Sequence, residues 1–325
     1  MSIVTRPVGQ TKVSVTSLSF GCASIGNLGG VVSDADVTAV LQHAWSAGIR
    51  YFDTAPHYGR GLSEQRIGVF LRTKARDAYI LSTKVGRVLS QGAAMKEADG
   101  FVQPLANDVR YDYSADGIRQ SLESSCERLG TDHVEIVYVH DIGDYTHGAT
   151  EGARHMEDLL GSGMGALRDL KQAGRIGAIG LGVNESQVCI DVMQREALDV
   201  ILLAGRLTLL DREAEKELLY RCAKQGTSLV LGGIFNSGIL ATGPKPGAWF
   251  DYAPASQDIL DQVTALQARA KAVDLTLAEA ALQFALNHDA ACSVLLGTGK
   301  VSSLEHNLAA ANKPLTEQAR SFVTT

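Results

Sequence analysis

The sequence has few cysteines, and none of them lies near another. They stand more than thirty residues apart, without any Cys-x-x-Cys pair, at Cys22, Cys126, Cys189, Cys222 and Cys292. This spacing excludes a disulfide framework and a cysteine-rich zinc site. The eight histidines also lack the spacing of metal ligands. We therefore expect single buried thiols in a reducing compartment, and no metal centre.

Long apolar runs and a large excess of one charge are missing as well. No stretch approaches the roughly 20 apolar residues of a membrane span, and the N-terminal segment lacks a signal-peptide pattern. Lys and Arg number 30 and Asp and Glu 36, a net charge of −6 that argues against a nucleic-acid partner. Hydrophobic residues make up 45% of the chain, enough for a large core. These features predict a cytoplasmic protein that binds neither membranes nor nucleic acid.

Short β-rich segments alternate with amphipathic helical segments along the 325 residues. The β-rich segments have apolar centres, as parallel strands buried on both faces do; they are residues 17–21, 49–53, 79–84, 134–140, 176–183, 200–204, 228–231 and 293–296. About eight strand–helix pairs predict one α/β domain over residues 1–325, a closed (β/α)8 TIM barrel. Residues 6–15 predict an N-terminal β-hairpin that caps the barrel floor.

The helical segments begin at capping residues and carry apolar stripes. They are residues 34–47, 114–129, 165–173, 213–224, 257–272 and 276–288. Residues 161–166 match Gly-x-Gly-x-x-Ala, the pattern of a dinucleotide-binding turn. Because no strand precedes them, we interpret them as a flexible entry to a helix.

Three segments are too long to be simple connectors: 86–113, 141–162 and 232–256. All three follow strands, so they are predicted as long loops at the carboxyl rim, where barrel active sites lie. The third carries Trp249, Phe250 and Tyr252. This third loop is either a plain connector or a lid over a ligand.

Polar residues end several of the predicted strands. Asp53, Lys84, His140 and Asn184 each close a different apolar run, and Tyr58 follows Asp53 in the next loop. In a barrel these strand ends converge on one rim, where each buried polar group finds a partner. Taken singly, Asp53 also suits a turn cap, and His140 a structural histidine. Their joint placement favours a catalytic site.

Such a group can exchange a proton with a substrate oxygen. A lysine ammonium close to Tyr58 is expected to lower the tyrosine pKa, and Asp53 is expected to hold Lys84 charged. His140 would donate a hydrogen bond to the reacting oxygen. This chemistry suits carbonyl reduction or alcohol oxidation. It does not suit acyl transfer, because no nucleophile stands beside a base.

The polar motifs are similar to those of a known family. The chain from Gly9 to Asn312 carries "FDTAPHYG", "STK", a strand-ending "VH" and "LLGTGKVSSLEHNL". This set resembles the aldo-keto reductase superfamily, whose TIM barrels bind nicotinamide cofactors without a Rossmann domain. Further segments resemble its aldose 1-dehydrogenase branch, which includes L-fucose, D-threo-aldose and L-galactose dehydrogenases and pyridoxal 4-dehydrogenase; they are "YDYSADGIRQSLESSCERLG", "VHDIGDYTHG", "AGRLTLLD" and "GGIFNSGILATGPKPGAWFDYAPAS".

The resemblance implies a role for each matching position. Tyr58 would be the general acid/base, tuned by Lys84 and Asp53, and His140 would orient the substrate. Asn184 would hold the nicotinamide carboxamide, the loop 232–237 the pyrophosphate, and the late signature the adenosine end. The implied cofactor-binding residues are Gly21, Asn184, Gly232, Gly233, Phe235, Ser237, Gly297, Thr298, Lys300, Ser303 and Asn307.

Departures from the family pattern bear on the cofactor. Ser303 stands where NADP-preferring members often carry Arg, and His306 where they often carry Glu. Because a 2′-phosphate favours a cation, and Lys300 is the one basic residue in this signature, we expect NAD to be preferred over NADP. At three further positions the residue differs from the one usual in the family: Leu207, Ala204 and Val183. These differences predict a differently packed nicotinamide pocket.

The predicted reaction is NAD(P)-dependent oxidation of the C1 hydroxyl of a cyclic aldose to the lactone. Asp141 and Trp249 are candidate substrate residues, and so is His57, although His57 could equally face solvent. Pyridoxal is an alternative, since its cyclic hemiacetal presents the same reacting centre and would give 4-pyridoxolactone. Two further candidates are a general NADPH-dependent carbonyl reductase and a non-catalytic cofactor-binding subunit. The sequence does not indicate an oligomeric state.

Overall fold

The computed structural model describes residues 3–324 and contains a closed barrel of eight parallel strands. All strands, numbered in chain order, are β1 Thr5–Pro7, β2 Ser14–Thr16, β3 Leu18–Gly21, β4 Tyr51–Asp53, β5 Ile80–Val85, β6 Arg87–Gln91, β7 Glu97–Ala98, β8 Phe101–Val102, β9 Asn107–Tyr111, β10 Val134–His140, β11 Ile176–Val183, β12 Val200–Ala204, β13 Ser228–Gly232, β14 Trp249–Phe250, β15 Ala253–Pro254 and β16 Ala291–Leu296. The barrel runs β3, β4, β5, β10, β11, β12, β13 and β16, and β16 pairs with β3 to close it. The predicted TIM barrel is therefore confirmed, with all eight strands found.

Helices connect the barrel strands. They are α1 Asp34–Ser46, α2 Leu62–Leu71, α3 Ala115–Leu129, α4 Asp144–Asp158, α5 Met164–Gln172, α6 Ser186–Met193, α7 Leu218–Gln225, α8 Ile239–Thr242, α9 Gln257–Ala272, α10 Leu277–Asn287, α11 Val301–Asn312 and α12 Glu317–Thr324. Serine or threonine side chains cap the first turns of α1, α3, α9 and α10, as their sequences predicted. The described helices include none that is long and apolar enough to cross a membrane.

The N-terminal hairpin closes the amino end of the barrel. Strands β1 and β2 pair antiparallel, and Val8, Val13 and Val15 are buried with residues of the barrel interior such as Ile136 and Val200. This apolar plug agrees with the predicted cap on the barrel floor. It keeps the interior dry below the carboxyl rim, where the site residues lie.

All three predicted rim loops contain regular structure, and residues 232–256 include α8 and the hairpin of β14 with β15. Residues 86–113 form two hairpins, β6 with β9 and β7 with β8. Residues 141–162 are mostly helical, so their prediction as a loop was wrong. Helix α4 is kinked at Gly148, and its buried residues are Gly152 and His155, so it lacks the apolar stripe that marks a helix in sequence.

Two helical predictions also need correction. Residues 161–166 are no flexible entry, because a π-helical turn, Leu159–Gly163, continues directly into α5. A Cβ on Gly163 would lie 2.2 Å from the Tyr113 carbonyl oxygen, so close packing explains this glycine. The predicted helix 213–224 is broken into a 3-10 turn, Glu213–Glu215, and α7, because the backbone of Glu217 is non-helical.

The five cysteines are free and buried, as expected from their spacing. Among the described residues, no group of three or more His, Cys, Asp or Glu side chains is placed to hold a metal ion.

Candidate active site

A buried ion pair stands at the carboxyl end of β4 and β5. The Lys84 ammonium lies 2.7 Å from Asp53 Oδ2 and also donates to the Thr54 carbonyl oxygen at 2.9 Å. Ser82 Oγ donates to the other carboxylate oxygen of Asp53 at 2.7 Å. Every charged atom of the pair has a partner, which offsets the cost of burying it. The pair therefore holds a fixed positive charge inside the barrel.

Tyr58 lies directly above this charge. The Lys84 ammonium is 4.6 Å from the centroid of the Tyr58 ring. Burial acts to lower the pKa of Lys84, but Asp53 and Tyr58 together raise it above its usual value, so the lysine stays charged. The structure brings Asp53, Tyr58 and Lys84 together, as expected from the sequence.

The expected lowering of the Tyr58 pKa is wrong in its net direction. Burial raises the pKa of Tyr58 to about 12, although Lys84 lowers it and is the largest opposing effect. Loss of hydration penalises the phenolate more than one ammonium stabilises it. In the site as described, Tyr58 is therefore a protonated phenol at neutral pH, ready to act as an acid.

His140 ends β10 and faces the same group of side chains. Its ring centroid lies 6.1 Å from that of Tyr58, nearly perpendicular to it. Burial, and then Arg87 and Lys84, lower the pKa of His140 well below its usual range, so the imidazole is neutral. Its buried Nδ1 has no hydrogen-bond partner among the described residues. A neutral imidazole can donate one hydrogen bond to a reacting oxygen without taking its proton.

Arg87, which the sequence did not single out, connects the next two site residues. One guanidinium nitrogen lies 2.6 Å from His57 Nδ1 and another donates to Asp141 Oδ2 at 2.5 Å. His140 Nε2 lies 3.4 Å from the same Asp141 oxygen. The only sequence signal for Arg87 was its position three residues after the strand-ending Lys84. Its partners, His57 and Asp141, are distant in sequence and could not be inferred. The structure thus groups the candidates His57 and Asp141 with His140.

A cavity of about 920 Å³ is lined by five of the site residues, His57, Tyr58, Lys84, His140 and Asp141. Apolar side chains supply much of the wall, and they are Leu28, Phe101, Val183, Leu202, Trp249 and Tyr252. Carboxylates also line it, and they are Glu97, Asp99 and Asp141. A pocket with a few polar groups in apolar walls is typical of small-molecule sites.

The third rim segment covers one side of this cavity. Its β14–β15 hairpin presents Trp249 and Tyr252, both exposed, to the cavity. Buried Arg206, also missed in the sequence, donates to both Asp251 carboxylate oxygens at 2.9 Å and to the Asn184 carbonyl oxygen at 2.8 Å. One arginine therefore connects the hairpin to the loop that carries Asn184.

A second cavity, of about 880 Å³, lies beside the first and shares Leu28 and Gly29 with it. Its lining includes Gly297, Thr298, Lys300 and Ser303 of the late signature. No side chain caps the first turn of α11 at this cavity, so the backbone N–H groups of that turn are available to an anion.

The remaining cofactor candidates are spread around the two cavities. Asn184 and Ser237 line the first, and Gly21 adjoins Gly297 at the rim. The Asn184 carboxamide makes no hydrogen bond within residues 3–324, so it is free to bind another amide. Five candidates line neither cavity: Gly21, Gly232, Gly233, Phe235 and Asn307. Of the three unusual positions, Ala204 and Val183 line the first cavity, and Leu207 is buried away from it.

A parallel barrel with a buried Asp–Lys pair beneath a tyrosine can exchange a proton with a small molecule bound in the adjoining cavity. The model of the Aldo/keto reductase family matches residues 17–322. The chain belongs to this family, which uses nicotinamide cofactors, and it is an oxidoreductase. This confirms the resemblance that the motifs indicated.

Named relatives resemble the chain over most of its length. It is 41% identical to pyridoxal 4-dehydrogenase of Microbacterium luteolum, over 93% of this chain and 91% of the relative. It is 38% identical to D-threo-aldose 1-dehydrogenase of a Pseudomonas species, over 94% and 92%, and 31% identical to L-galactose dehydrogenase of Arabidopsis thaliana, over 94% and 87%. An aldo-keto reductase structure from Bacillus halodurans, in its holo form, matches with a TM-score of 0.78 and 27% identity, covering 99% and 95%.

Proposed function

We propose that the protein oxidises the C1 hydroxyl of a cyclic aldose to the corresponding lactone, with NAD as the preferred oxidant. The observation that carries this proposal is the Asp53–Lys84 pair, whose ammonium lies 4.6 Å from the centroid of the Tyr58 ring beside a cavity of about 920 Å³. Relatives at 41% and 38% identity, whose names give pyridoxal and D-threo-aldoses as substrates, support a cyclic hemiacetal as the reacting form.

The reaction breaks an O–H bond and a C–H bond at C1 and forms a carbonyl. The Tyr58 phenolate takes the hydroxyl proton, and the Lys84 ammonium stabilises that phenolate. His140 donates a hydrogen bond to the reacting oxygen and holds it against Tyr58. The oxidised nicotinamide supplies the acceptor for the C1 hydride. In the reverse direction Tyr58 returns the proton to the carbonyl oxygen.

The described residues fit a dinucleotide. The unpaired Asn184 carboxamide suits the nicotinamide amide, and the uncapped first turn of α11 suits phosphate oxygens. Asp36 and Lys300 are the one carboxylate and the one cation among the described residues that line the second cavity. Because Asp36 repels a 2′-phosphate and Ser303 offers no positive charge, these residues support NAD over NADP.

The walls of the first cavity suit a polyhydroxylated ring. Trp249 and Phe101 offer apolar faces to ring C–H groups, and the carboxylates of Glu97 and Asp99 accept hydrogen bonds from hydroxyls.

Pyridoxal is the second candidate, and one observation favours it. The rings of Phe101 and Tyr58 are stacked, with centroids 6.0 Å apart, and form an aromatic wall against which a flat pyridine ring could pack. The hydroxyl on the hemiacetal carbon of pyridoxal would then give its proton to Tyr58, as the C1 hydroxyl of an aldose would.

A substrate panel tests the proposal. Absorbance of the reduced nicotinamide is followed with NAD or NADP and L-fucose, D-arabinose, L-galactose, L-xylose, D-galactose, D-glucose or pyridoxal. An increase in this absorbance with NAD and one sugar series supports the proposal. An increase with pyridoxal alone would replace the aldose by pyridoxal as the substrate. NADPH-dependent aldehyde reduction without any sugar oxidation indicates a general carbonyl reductase. Cofactor binding without turnover in either direction indicates a non-catalytic subunit. Arg119→Gln, at an exposed ion pair with Asp169, is the matched control for preparation and assay.

A further inference from the structure

His57 offers a second hydrogen-bond donor to the substrate, in addition to the one assigned to His140. Its Nδ1 is occupied by Arg87 at 2.6 Å, and its ring lies on the wall of the first cavity. Within residues 3–324 its Nε2 has no hydrogen-bond partner. A guanidinium carries only donors, so His57 Nδ1 must be the acceptor of this bond. The single proton of the neutral ring is then on Nε2.

Arg87 is held firmly enough to impose this tautomer. It is 5% exposed, its guanidinium lies 5.2 Å from the centroid of the Tyr111 ring, and Ser121 Oγ donates to its carbonyl oxygen at 3.1 Å. The preceding Gly86 has φ of 100°, and a Cβ there would lie 2.2 Å from a Tyr113 ring carbon. Only glycine permits this close turn, which fixes where Arg87 begins.

The charges around His57 keep it neutral. Burial, and then Arg87, Lys84 and Arg60, lower the pKa of His57 to about 3. The carboxylate facing this group, Asp141, is already paired with Arg87. A protonated His57 would set its Nδ1–H against a guanidinium N–H, which is unfavourable.

We propose that Arg87 is a positioning residue that fixes His57 as an Nε2–H donor, and that this donor binds the ring oxygen of the substrate hemiacetal. The ring centroids of His57 and His140 are 5.7 Å apart. Hydrogen bonds of about 2.9 Å from the two rings can converge on two oxygens carried by one carbon. A cyclic hemiacetal has these two oxygens at its reacting carbon, whereas a simple alcohol or aldehyde has one. This assignment rests on the proposed function. It gives a structural reason why the enzyme would prefer cyclic hemiacetals over simple alcohols or aldehydes.

Paired kinetic measurements test the donor. The two reactions are oxidation of the best cyclic hemiacetal and reduction of an aliphatic aldehyde without a second oxygen. His57→Phe is expected to lower kcat/KM for the hemiacetal about tenfold or more, and for the aldehyde less than about threefold. His57→Gln, which retains an N–H donor, is expected to restore most of the hemiacetal activity. Equal losses with both substrates, or no rescue by His57→Gln, would overturn the assignment.

Nitrogen NMR of the histidine rings tests Arg87 independently of activity. In the wild type, the His57 signals, assigned with His57→Phe, should report a proton on Nε2 throughout pH 5–8. In Arg87→Met, which removes the donor to Nδ1, the proton should be shared between Nδ1 and Nε2, and the hemiacetal-selective loss should recur. A wild-type ring protonated on Nδ1, or one that titrates in this range, contradicts the role of Arg87. The double variant Arg87→Met/Asp141→Asn serves if the single variant misfolds, because it leaves no unpaired carboxylate.

Failure of the proposed function gives a different pattern. A wild type that reduces aldehydes but oxidises no cyclic hemiacetal would overturn the proposed function, and the ring-oxygen assignment with it. The tautomer of His57 in the wild type and in Arg87→Met would still decide whether Arg87 fixes that ring. Arg119→Met, which removes an exposed arginine, is the matched control and is expected to change neither measurement.

Discussion

Opposing effects act on the pKa of the Tyr58 hydroxyl. Burial raises the pKa of its hydroxyl to about 12, and the nearby Lys84 ammonium acts in the opposite direction. The phenol is thus a ready proton donor for carbonyl reduction, and its conjugate base is scarce but strong for alcohol oxidation. The direction of the reaction consequently decides how its rate responds to pH.

Replacing the hydroxyl tests the assignment of the acid/base. Tyr58→Phe is expected to lower kcat at least about 100-fold in both directions, since proton transfer by a positioned group contributes 10²–10⁴-fold. Nicotinamide binding, followed by quenching of protein fluorescence, should change little, because only the hydroxyl is removed. Retention of more than a tenth of the wild-type kcat would mean that another group transfers the proton.

Ser303 is the residue at which cofactor preference can be changed. The wild type is expected to favour NAD at least about tenfold in kcat/KM. Ser303→Arg should shift this ratio toward NADP by about tenfold or more, because a guanidinium–phosphate hydrogen bond contributes roughly 1.5–3 kcal/mol. Ala309→Arg adds the same charge to an exposed position of α11 that does not line the second cavity, and it should leave the ratio unchanged. A tenfold preference of the wild type for NADP would contradict the predicted NAD preference.

At the scale of elements, α2 and α3 are joined by a buried charge. Glu64 is fully buried, accepts from Arg128 Nε at 2.6 Å and accepts from Thr83 Oγ1 at 2.6 Å. Thr83 precedes Lys84 in β5, so this pair helps to fix the strand that carries the catalytic lysine. A buried carboxylate is tolerated here because both of its oxygens have donors.

Breaking this pair should destabilise the fold. Arg128→Met leaves the Glu64 carboxylate without its cation, and we expect the free energy of unfolding to fall by about 3 kcal/mol. Chemical denaturation measures the change. Arg119→Met, at an exposed ion pair, should cost less than about 1 kcal/mol. Equal effects of the two substitutions would show that burial of the pair is unimportant.

The elements that sequence predicts well are those whose own residues determine them. The barrel strands have continuous apolar centres, and their polar last residues Asp53, Lys84 and His140 mark where they end. Helix α4 was missed because its buried face consists of Gly152 and His155. Arg206 was missed because its partner Asp251 is remote in sequence. Ion pairs between distant segments leave no periodic pattern.

On the scale of the whole molecule, the residues that stabilise the barrel and the residues of the candidate site lie at opposite ends of it. The hairpin plug and apolar interior occupy the amino end, and the two cavities open at the carboxyl rim. Two rim segments of different form, the double hairpin of residues 86–113 and the β14–β15 hairpin, line the first cavity on a regular scaffold.

The pH dependence of kcat/KM in both directions tests the central claim most directly. With Tyr58 as the base and a pKa near 12, oxidation of the best cyclic substrate should rise about tenfold per pH unit from pH 6 until another step limits the rate. Aldehyde reduction, which needs the protonated phenol, should stay level over pH 6–10. An oxidation rate that is flat over this range would contradict Tyr58 as the rate-controlling base, and so would a reduction rate that falls above pH 8.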